Sequence, residues 1–322
     1  MKNLLLIMPS FMEYDNVLFN ELQKTYNVTL INSDFFAMDI LREYSNKNII
    51  HKFFRKLNNK IKCKDKEHIE CQYDKKFLQQ ISNEKNYYQI VFCINGAYTS
   101  KWFIHYIKEL NPNATMIYYA WDDISKLFSI NHIELFDKIY SYNIDDCKLH
   151  NWTYLPMFVQ KKYIGHKKEN LYDIFYIGTV HSDRIEIAEK LIEKYSGKLN
   201  LLIYLYDPSN SHNKSYCHNK PLSYDEYLEL LSVSKSILDI PLTNQTGPTT
   251  RIFDGLLTDS KVITTNNQLY KYPVFSDNIL VIDRNTLDIP LVFLETEYNA
   301  TTYCPFTPKE WINQIDFNGV EI

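Results

Sequence analysis

A polar loop with one arginine carries the residue types best suited to holding an anion. Arg251 follows the sequence Gly-Pro-Thr-Thr at positions 247–250, and Asp254 comes one helical turn later. The free N–H groups at a helix start and the helix dipole both favour a negatively charged ligand. Because an arginine presents a rigid fork of donors, Arg251 suits a phosphate, whereas Asp254 suits a ribose or sugar hydroxyl.

Two short apolar runs flank this loop and must position it. Residues 237–240 precede the loop, and residues 261–264 follow it. Both runs are typical of buried parallel strands, and the apolar residues between them fall on one face of a helix. In units of this kind, ligands bind outside the carboxyl ends of the strands. We therefore expect the arginine loop to lie at the edge of a parallel sheet.

A second predicted strand also ends in residues suited to an anion. The run 173–177 leads into Gly178 and Thr179, and Arg184 begins the next helical pattern. A glycine at a strand end lets a ligand approach the backbone, and the helix start with its arginine offers a second anion site. The sequence predicts that Arg184 and Arg251 point into one cleft.

The segment from Asp239 to Asn266 resembles the donor-binding segment of bacterial two-domain (GT-B) glycosyltransferases, and it is most similar to the CgeB-like, polysaccharide-biosynthesis branch. Members carry a Gln-Thr-Gly-Leu-Thr-x-Arg core with an acidic residue one turn after the arginine. This chain has Pro248 where leucine is usual and Asp254 where glutamate is usual. The matching core residues are Gln245, Thr246, Gly247, Thr249, Thr250 and Arg251.

The resemblance extends over most of the chain. Members show a Trp-Asp pair after an N-terminal strand, as at Trp121 and Asp122, and a Tyr-Leu-Pro sequence at the domain crossover, as at 154–156. They also carry a Gly-Ser or Gly-Thr turn, matched by Gly178 and Thr179, with a downstream arginine that faces the donor diphosphate. The resemblance implies an α/β fold of GT-B architecture, in which two Rossmann-like domains face each other across a cleft.

The chain length and the predicted domain crossover give the domain boundaries. A chain of 322 residues and 38.4 kDa predicts about two domains. We place an N-terminal Rossmann-like acceptor domain at 1–158 and a C-terminal nucleotide-sugar donor domain at 159–305. Residues 306–322 contain a capping-box start with a proline at the first helical position, which predicts a terminal helix. In two-domain glycosyltransferases such a helix often returns to the first domain, and we expect the same here.

Three acids at predicted strand ends of the N-terminal domain are candidates for a catalytic base. Glu13 follows the strand at 4–8, and Asp122 and Asp123 follow the strand at 116–119. An inverting transfer needs a carboxylate that can take a proton from the acceptor hydroxyl. The competing interpretation is that Asp122 or Asp123 caps the following helix, which is the commoner role of an acid there.

The sequence predicts a reaction without a metal or cofactor. No Asp-x-Asp occurs in the chain, and its seven glycines form no glycine-rich phosphate loop. Arg184, Arg251 and helix N-termini would neutralise the leaving diphosphate instead. The six cysteines are scattered without a C-x-x-C pair and are interpreted as reduced thiols. A net charge of -4 gives no indication of a nucleic-acid partner.

The stretch at 47–66 is strongly basic, whereas the whole chain has a net negative charge. It holds eight basic residues and one acid, and its apolar residues recur at helical spacing. Such a helix either lies on an anionic membrane surface or faces the core with a solvated basic back. The first apolar run, at 4–8, is too short for a signal peptide, and no run is long enough to span a membrane. We expect a cytoplasmic protein, with peripheral contact at the inner face of the cell membrane if the stretch binds lipid.

These observations predict an enzyme that moves a sugar from a nucleotide-diphosphate sugar to a glycan or lipid-linked acceptor of a cell-surface polysaccharide, such as a capsule or lipopolysaccharide. A periplasmic-type sugar-binding protein also has two α/β domains, but it requires export. The stronger alternative is a catalytically silent GT-B homologue that binds nucleotide or glycan as an assembly partner. Such a silent homologue would keep Arg251 but would lack a catalytic general base.

Overall fold

The computed structural model describes residues 1–33, 74–81, 87–96, 99–124, 130–161, 168–243, 245–299 and 303–318. The chain divides into two compact units. The first consists of Met1–Pro156 together with Ile312–Ile322, and the second is Met157–Trp311. The basic stretch at 47–66 lies outside the described residues, so its membrane contact stays a prediction. Within the described ranges, no helix is long and apolar enough to cross a membrane.

The first unit is built on a parallel sheet whose described strands run in the order β2-β1-β3-β4-β5-β6. Strands β3 and β4 are buried along their whole length, because helices and loops cover both faces of the sheet. This burial explains why the strands appear in the sequence as continuous apolar runs. The strands are β1 (Asn3–Met8), β2 (Asn27–Asn32), β3 (Ile90–Ile94), β4 (Thr115–Ala120), β5 (Lys138–Ser141) and β6 (Thr153–Tyr154).

The second unit repeats this design, and its described strands run in the order β12-β11-β10-β7-β8-β9, all parallel. The predicted α/β class, with two parallel sheets, is thus confirmed. The strands are β7 (Tyr172–Thr179), β8 (Leu201–Tyr206), β9 (Cys217–His218), β10 (Ser234–Asp239), β11 (Lys261–Thr264) and β12 (Ile279–Val281).

Helices follow the strands in both units. The helix at 74–81 and a 3-10 helix at Ile130–Leu135 complete the described helical structure of the first unit, and a 3-10 turn at Leu269–Lys271 lies in the second. The other helices are α1 (Tyr14–Leu22), α2 (Lys101–Leu110), α3 (Ile144–His150), α4 (Arg184–Tyr195), α5 (Tyr224–Ser232), α6 (Thr250–Leu257), α7 (Leu291–Glu295) and α8 (Pro308–Ile312).

Each sheet has a point at which the direction of winding reverses. In the first sheet it lies between β1 and β3, and in the second between β7 and β10. At such a point the two following helices pass to opposite faces of the sheet, so the loops diverge and leave a crevice at the carboxyl edge. These two edges hold most of the residues that the sequence marks as functional.

The last described residues return to the first unit. Helix α8 begins with the predicted capping box, in which Thr307 and Glu310 exchange hydrogen bonds. Beyond it, Phe317 packs against Tyr26 and Phe92, at ring-centroid distances of 5.5 and 5.7 Å. These aromatic contacts attach the C-terminal segment to the first sheet.

Candidate functional site

Arg251 lies in the first turn of α6, where the chain leaves β10 at the reversal point of the second sheet. Its Nε donates to the carboxylate of Asp239 at 2.9 Å. The two terminal nitrogens have no hydrogen-bond partner among the residues that the structure describes, and the side chain is 19% exposed. Burial has the largest single effect and acts to lower the pKa of Arg251, but the charge of Asp239, the influence of Tyr227 and the hydrogen bond to Asp239 together exceed it, so the pKa is raised and the guanidinium stays charged.

Asp239, the last residue of β10, organises the loop around Arg251. Its carboxylate is fully buried. One oxygen accepts from Arg251 and from the Thr249 hydroxyl at 2.7 Å, and the other accepts from the Thr264 hydroxyl at 2.9 Å. Because these groups come from β10, β11 and the start of α6, a single buried acid fixes the arginine relative to the sheet edge.

The hydrogen bond from Thr249 to Asp239 leaves the N-terminus of α6 without a side-chain cap. Thr249 is the N-cap residue of α6, yet its side chain makes no cap hydrogen bond because its hydroxyl is bound to Asp239. Asp183, the N-cap residue of α4, also makes no side-chain cap, since its carboxylate binds Arg284. Both helix starts therefore keep N–H groups that can meet an anion.

Arg184 joins the two strands that flank the reversal point. It is 7% exposed and donates to the carbonyl oxygens of Thr179 and Ile240, at 3.0 and 3.2 Å. Its guanidinium lies over Gly178, where a Cβ atom would come within 2.6 Å of it, so a larger residue at this position would displace the guanidinium. Burial, followed by the charge of Arg251, lowers the pKa of Arg184 to about 10. Arg184 thus adds a buried positive charge to the site and also links the carboxyl ends of β7 and β10.

A third arginine at this edge was not predicted from the sequence. Arg284 follows β12 and makes a two-pronged contact with Asp183, with both distances at 2.8 Å. It also donates to the carbonyl of Pro241 at 2.8 Å. The hydrogen bond from Arg284 holds the pKa of Asp183 below its usual range. The sequence did indicate a role for Arg284, because an arginine just beyond the end of a parallel strand lies at the edge of the sheet where ligands bind.

Two titratable groups lie within the field of these arginines. His181, in the loop after β7, has a lowered pKa, first because it is partly buried and then because of the charges of Arg184, Arg251 and Arg284. The hydroxyl of Tyr176 is buried beneath them and has no hydrogen-bond partner among the described residues. At neutral pH the site therefore carries three guanidinium charges and a neutral imidazole.

The other predicted donor-binding residues surround this point. Thr179 is exposed at the end of β7, and Thr250 begins α6. Asn266 supports the loop before the helix, because its side-chain amide donates to the carbonyls of Thr246 and Gly247 at 3.0 and 3.3 Å. Gln245 closes a turn in the same loop through its N–H. The structure thus brings the predicted set together at one edge of the sheet.

Asp254 occupies a different environment from the rest of the set. The side chain is 2% exposed, and its carboxyl accepts a hydrogen bond from the Tyr224 hydroxyl at 2.6 Å. Burial raises its pKa to about 7, against the opposing effects of hydrogen bonding and of Arg251. A ribose contact would therefore require the carboxyl to turn away from Tyr224.

The three predicted catalytic acids lie in the turns that follow β1 and β4. Glu13 is exposed and adopts a left-handed backbone with φ of 65°. Asp122 accepts from the Asn95 amide at 2.6 Å. Asp123 is buried and accepts from the Tyr142 hydroxyl and the Asn143 amide, at 2.6 and 2.8 Å. Asp123 therefore serves to hold the turn, and Glu13 is the most accessible of the three.

Sequence reasoning did not single out Asp15, which lies in the first turn of α1. It is 4% exposed and accepts from the Asn32 amide at 2.7 Å through one oxygen, while the other oxygen has no partner among the described residues. The acid places negative charge next to Glu13. Among the residues that the structure describes, no group of three His, Cys, Asp or Glu side chains is arranged to hold a metal ion.

No family model matches the sequence, and no curated protein matches it. Solved structures do match over most of its length. The chain is similar to CalG4, the calicheamicin glycosyltransferase, with a TM-score of 0.50 and 5% identity over 89% of this chain and 87% of that chain. A β-glucosyltransferase that modifies DNA aligns with a TM-score of 0.48 and 14% identity, over 92% of this chain and 88% of that one.

MurG from Acinetobacter baumannii aligns with a TM-score of 0.46 and 10% identity, over 92% of this chain and 89% of that one. At such low identities, structural likeness speaks for the fold and leaves the substrate open. The two parallel sheets and the similarity to CalG4 together assign the chain to the GT-B glycosyltransferase fold. The CgeB-like branch within that fold stays a prediction from the sequence.

Proposed function

We propose that this chain is a glycosyltransferase that binds a nucleotide-diphosphate sugar at the reversal point of its second sheet and transfers the sugar to a glycan or lipid-linked acceptor. The proposal rests on Arg251, whose two terminal nitrogens have no hydrogen-bond partner among the described residues. Asp239 accepts from its Nε at 2.9 Å, and the starts of α4 and α6, which have no side-chain cap, follow neighbouring strands at the same edge of the sheet. A diphosphate is the common ligand that matches a paired donor and two helix N-termini.

The electrostatics of the site suit a leaving diphosphate. Charge accumulates on the leaving group as the bond to the sugar breaks, and fixed positive groups stabilise that charge. Arg251 supplies hydrogen bonds, and Arg184 supplies charge from a buried position. Arg284 is neutralised by Asp183 and serves mainly to hold that acid away from the start of α4. In this proposal the arginines and helix starts do the work that a divalent ion does in metal-dependent transferases.

Glu13 is the proposed general base. It is exposed at the carboxyl end of β1, whereas Asp123 is engaged by Tyr142 and Asn143, and Asp122 by Asn95. A base must reach the acceptor hydroxyl before it can take the proton. Of the three candidate acids, Glu13 meets this requirement with the least rearrangement.

A donor screen tests the proposal. Nucleotide release from a panel of UDP-, GDP- and dTDP-sugars should be detected with the wild-type protein for at least one donor. Glu13→Gln should lower transfer by about two orders of magnitude or more, since general-base catalysis contributes that much, and should leave nucleotide affinity unchanged. Asp288→Asn, an exposed acid of the second unit, is the matched control and should transfer like wild type.

The catalytically silent homologue makes the opposite prediction for the same screen. It would bind a nucleotide with the affinity that Arg251 provides and release none from any donor sugar. A polysaccharide or lipid-linked glycan as the acceptor rests on the sequence resemblance. Acceptor extracts from capsule and lipopolysaccharide preparations, compared in the transfer assay, would test that part separately.

A further inference from the structure

The arginine edge, formed by Arg184, Arg251 and Arg284 at the reversal point of the second sheet, carries one guanidinium without an acidic partner among the described residues. Arg251 pairs with Asp239, and Arg284 pairs with Asp183. Arg184 is 7% exposed, and its two terminal nitrogens donate only to backbone carbonyls. Burial lowers its pKa to about 10, so it remains charged at neutral pH. A buried charge without a counter-charge is unfavourable, so an anion bound beside Arg184 would be stabilised.

Two buried donors next to this charge also have no hydrogen-bond partner among the described residues. They are the Nε of Arg184 and the hydroxyl of Tyr176, whose side chain is 1% exposed. Tyr176 lies two positions before Gly178 on β7, so both face the same side of the sheet, and the guanidinium of Arg184 lies over Gly178. Burial raises the pKa of Tyr176 above its usual range, and the charge of Arg184 is the largest opposing effect. The hydroxyl and the guanidinium are therefore neighbours.

An anion satisfies these groups better than water does. A water molecule would accept from the two donors but would leave the charge of Arg184 uncompensated. An anion accepts the same hydrogen bonds and also supplies the negative charge. Both donor atoms have almost no exposed surface, so the ion must be small and must lose its hydration shell readily, as chloride and bromide do. The start of α4, which has no side-chain cap, adds the positive end of a helix dipole.

We propose that the arginine edge binds a halide ion between Arg184 and Tyr176, and that a nucleoside diphosphate displaces this ion when it binds. The halide accepts from the Nε of Arg184 and from the Tyr176 hydroxyl. The displacement half of the inference rests on the proposed function and gives it a form of regulation. Both ions use the same positive charge, so nucleotide affinity depends on which anion surrounds the protein as well as on the ionic strength.

Thermal unfolding of the full chain tests the halide site. Sodium gluconate is replaced stepwise by sodium chloride at constant ionic strength, so that screening is fixed and only the small anion varies. The unfolding temperature of the wild type should rise with chloride and level off, as mass action requires for one saturable site. Tyr176→Phe, which removes one donor, should lose most of this rise. Tyr195→Phe is the matched control and should keep it, because that buried hydroxyl already donates to the Leu287 carbonyl at 2.9 Å.

Calorimetric titration in the same two salts tests the displacement. UDP and inorganic pyrophosphate should bind the wild type about twofold to tenfold more weakly in chloride than in gluconate, because the ion must first leave. Tyr176→Phe should bind them with nearly equal affinity in both salts.

Three results would overturn the inference. A wild-type unfolding temperature that does not depend on chloride, or a Tyr176→Phe variant that keeps the full rise, would remove the halide site. Equal affinities of the wild type for pyrophosphate in the two salts would remove the displacement. Failure of the proposed function has a different signature, since neither UDP nor pyrophosphate would then bind, whereas the chloride-dependent rise in unfolding temperature would persist.

Discussion

The reversal points of the two sheets have the same topology and opposite chemistry. Around the second, Asp239 and Asp183 pair with Arg251 and Arg284, and Arg184 donates to backbone carbonyls. Around the first, the described residues include the acids Glu13, Asp15 and Asp122 and the rings of Phe11 and Trp121. The same backbone design thus carries arginines at one edge and carboxylates with aromatic rings at the other. The proposed function makes use of this difference, because it assigns the charged donor to the edge with the arginines.

At the reversal point of the second sheet, the N-termini of α4 and α6 have no side-chain cap. Ser100, Asn143 and Ser223 cap α2, α3 and α5 through their side chains, whereas Glu13, the N-cap residue of α1, makes no side-chain cap. At the arginine edge, Asp183 and Thr249 are suitable capping residues, yet their side chains bind Arg284 and Asp239 instead. The sequence therefore retains N-cap residue types while the tertiary contacts keep both helix starts available.

The largest expected effect comes from removing the acid that holds the arginine edge together. Asp239→Ala leaves Arg251 largely buried without its partner and removes the acceptor of two threonine hydroxyls. Breaking a buried pair on one side costs about 3 to 5 kcal/mol in the free energy of unfolding. Urea unfolding followed by circular dichroism measures the change.

Glu13, at the reversal point of the first sheet, provides the control for that experiment. Glu13 is exposed, so Glu13→Ala should leave the urea midpoint close to that of wild type. If Asp239→Ala were as stable as Glu13→Ala, the carboxylate of Asp239 would not organise the arginine edge.

Asp254 should make stability depend on pH. Its pKa is raised to about 7 in the folded protein, whereas an unfolded aspartate titrates near 3.9. The folded state therefore holds the proton more tightly, so this contribution is full below about pH 4 and is lost as the pH rises through about 7. Asp254→Asn cannot titrate and should unfold with less pH dependence than wild type between pH 5 and 8, as measured by denaturant titration.

The same variant tests the alternative role of Asp254. If its carboxyl reaches a ribose, Asp254→Asn should bind a nucleoside diphosphate more weakly and inorganic pyrophosphate equally well. An unchanged pH dependence of stability, together with such a selective loss of nucleotide affinity, would place the group in the ligand site and contradict its assignment to the interior.

A smaller effect is expected from His181. Its pKa is lowered in the free protein by partial burial and by three arginines, and a bound diphosphate would cancel much of that positive charge. The pKa should then rise on binding, so the protein takes up a proton and nucleotide affinity increases as the pH falls from 8 toward 6. Calorimetry in two buffers of different ionisation enthalpy measures the uptake. His181→Gln should abolish it, whereas His105→Gln, on an exposed face of α2, should not.

Much of the fold followed from the sequence, because buried parallel strands appear as unbroken apolar runs. The strand at 261–264 was predicted with the bounds that the structure shows, and the predicted strands at 4–8 and 116–119 lie within β1 and β4. Strand β10 was predicted to begin at 237 and begins at 234, since Ser234 and Ser236 are buried with their hydroxyls bound to backbone carbonyls. Polar residues satisfied in this way do not appear as strand signals in the sequence.

The candidate site was predictable only in part. The order of residues around Arg251 located the loop, and Gly178 with Arg184 located its neighbour. Arg284 and Asp239 were not assigned roles, because their significance depends on partners far away in the sequence. The burial of Asp254 depends in the same way on Tyr224, which lies 30 positions earlier. Long-range pairings of this kind become visible only when the strands are placed side by side.

The most direct test of the account is calorimetric titration of the wild type, Arg251→Ala and Arg251→Lys with UDP, GDP, dTDP and pyrophosphate. Arg251→Ala should weaken nucleoside diphosphate and pyrophosphate alike by about tenfold to a hundredfold, the range of a hydrogen bond to a charged group. Arg251→Lys should recover part of the loss, because an ammonium cannot make a two-pronged contact. Wild-type affinity in folded Arg251→Ala would contradict the assignment of the donor diphosphate to this edge.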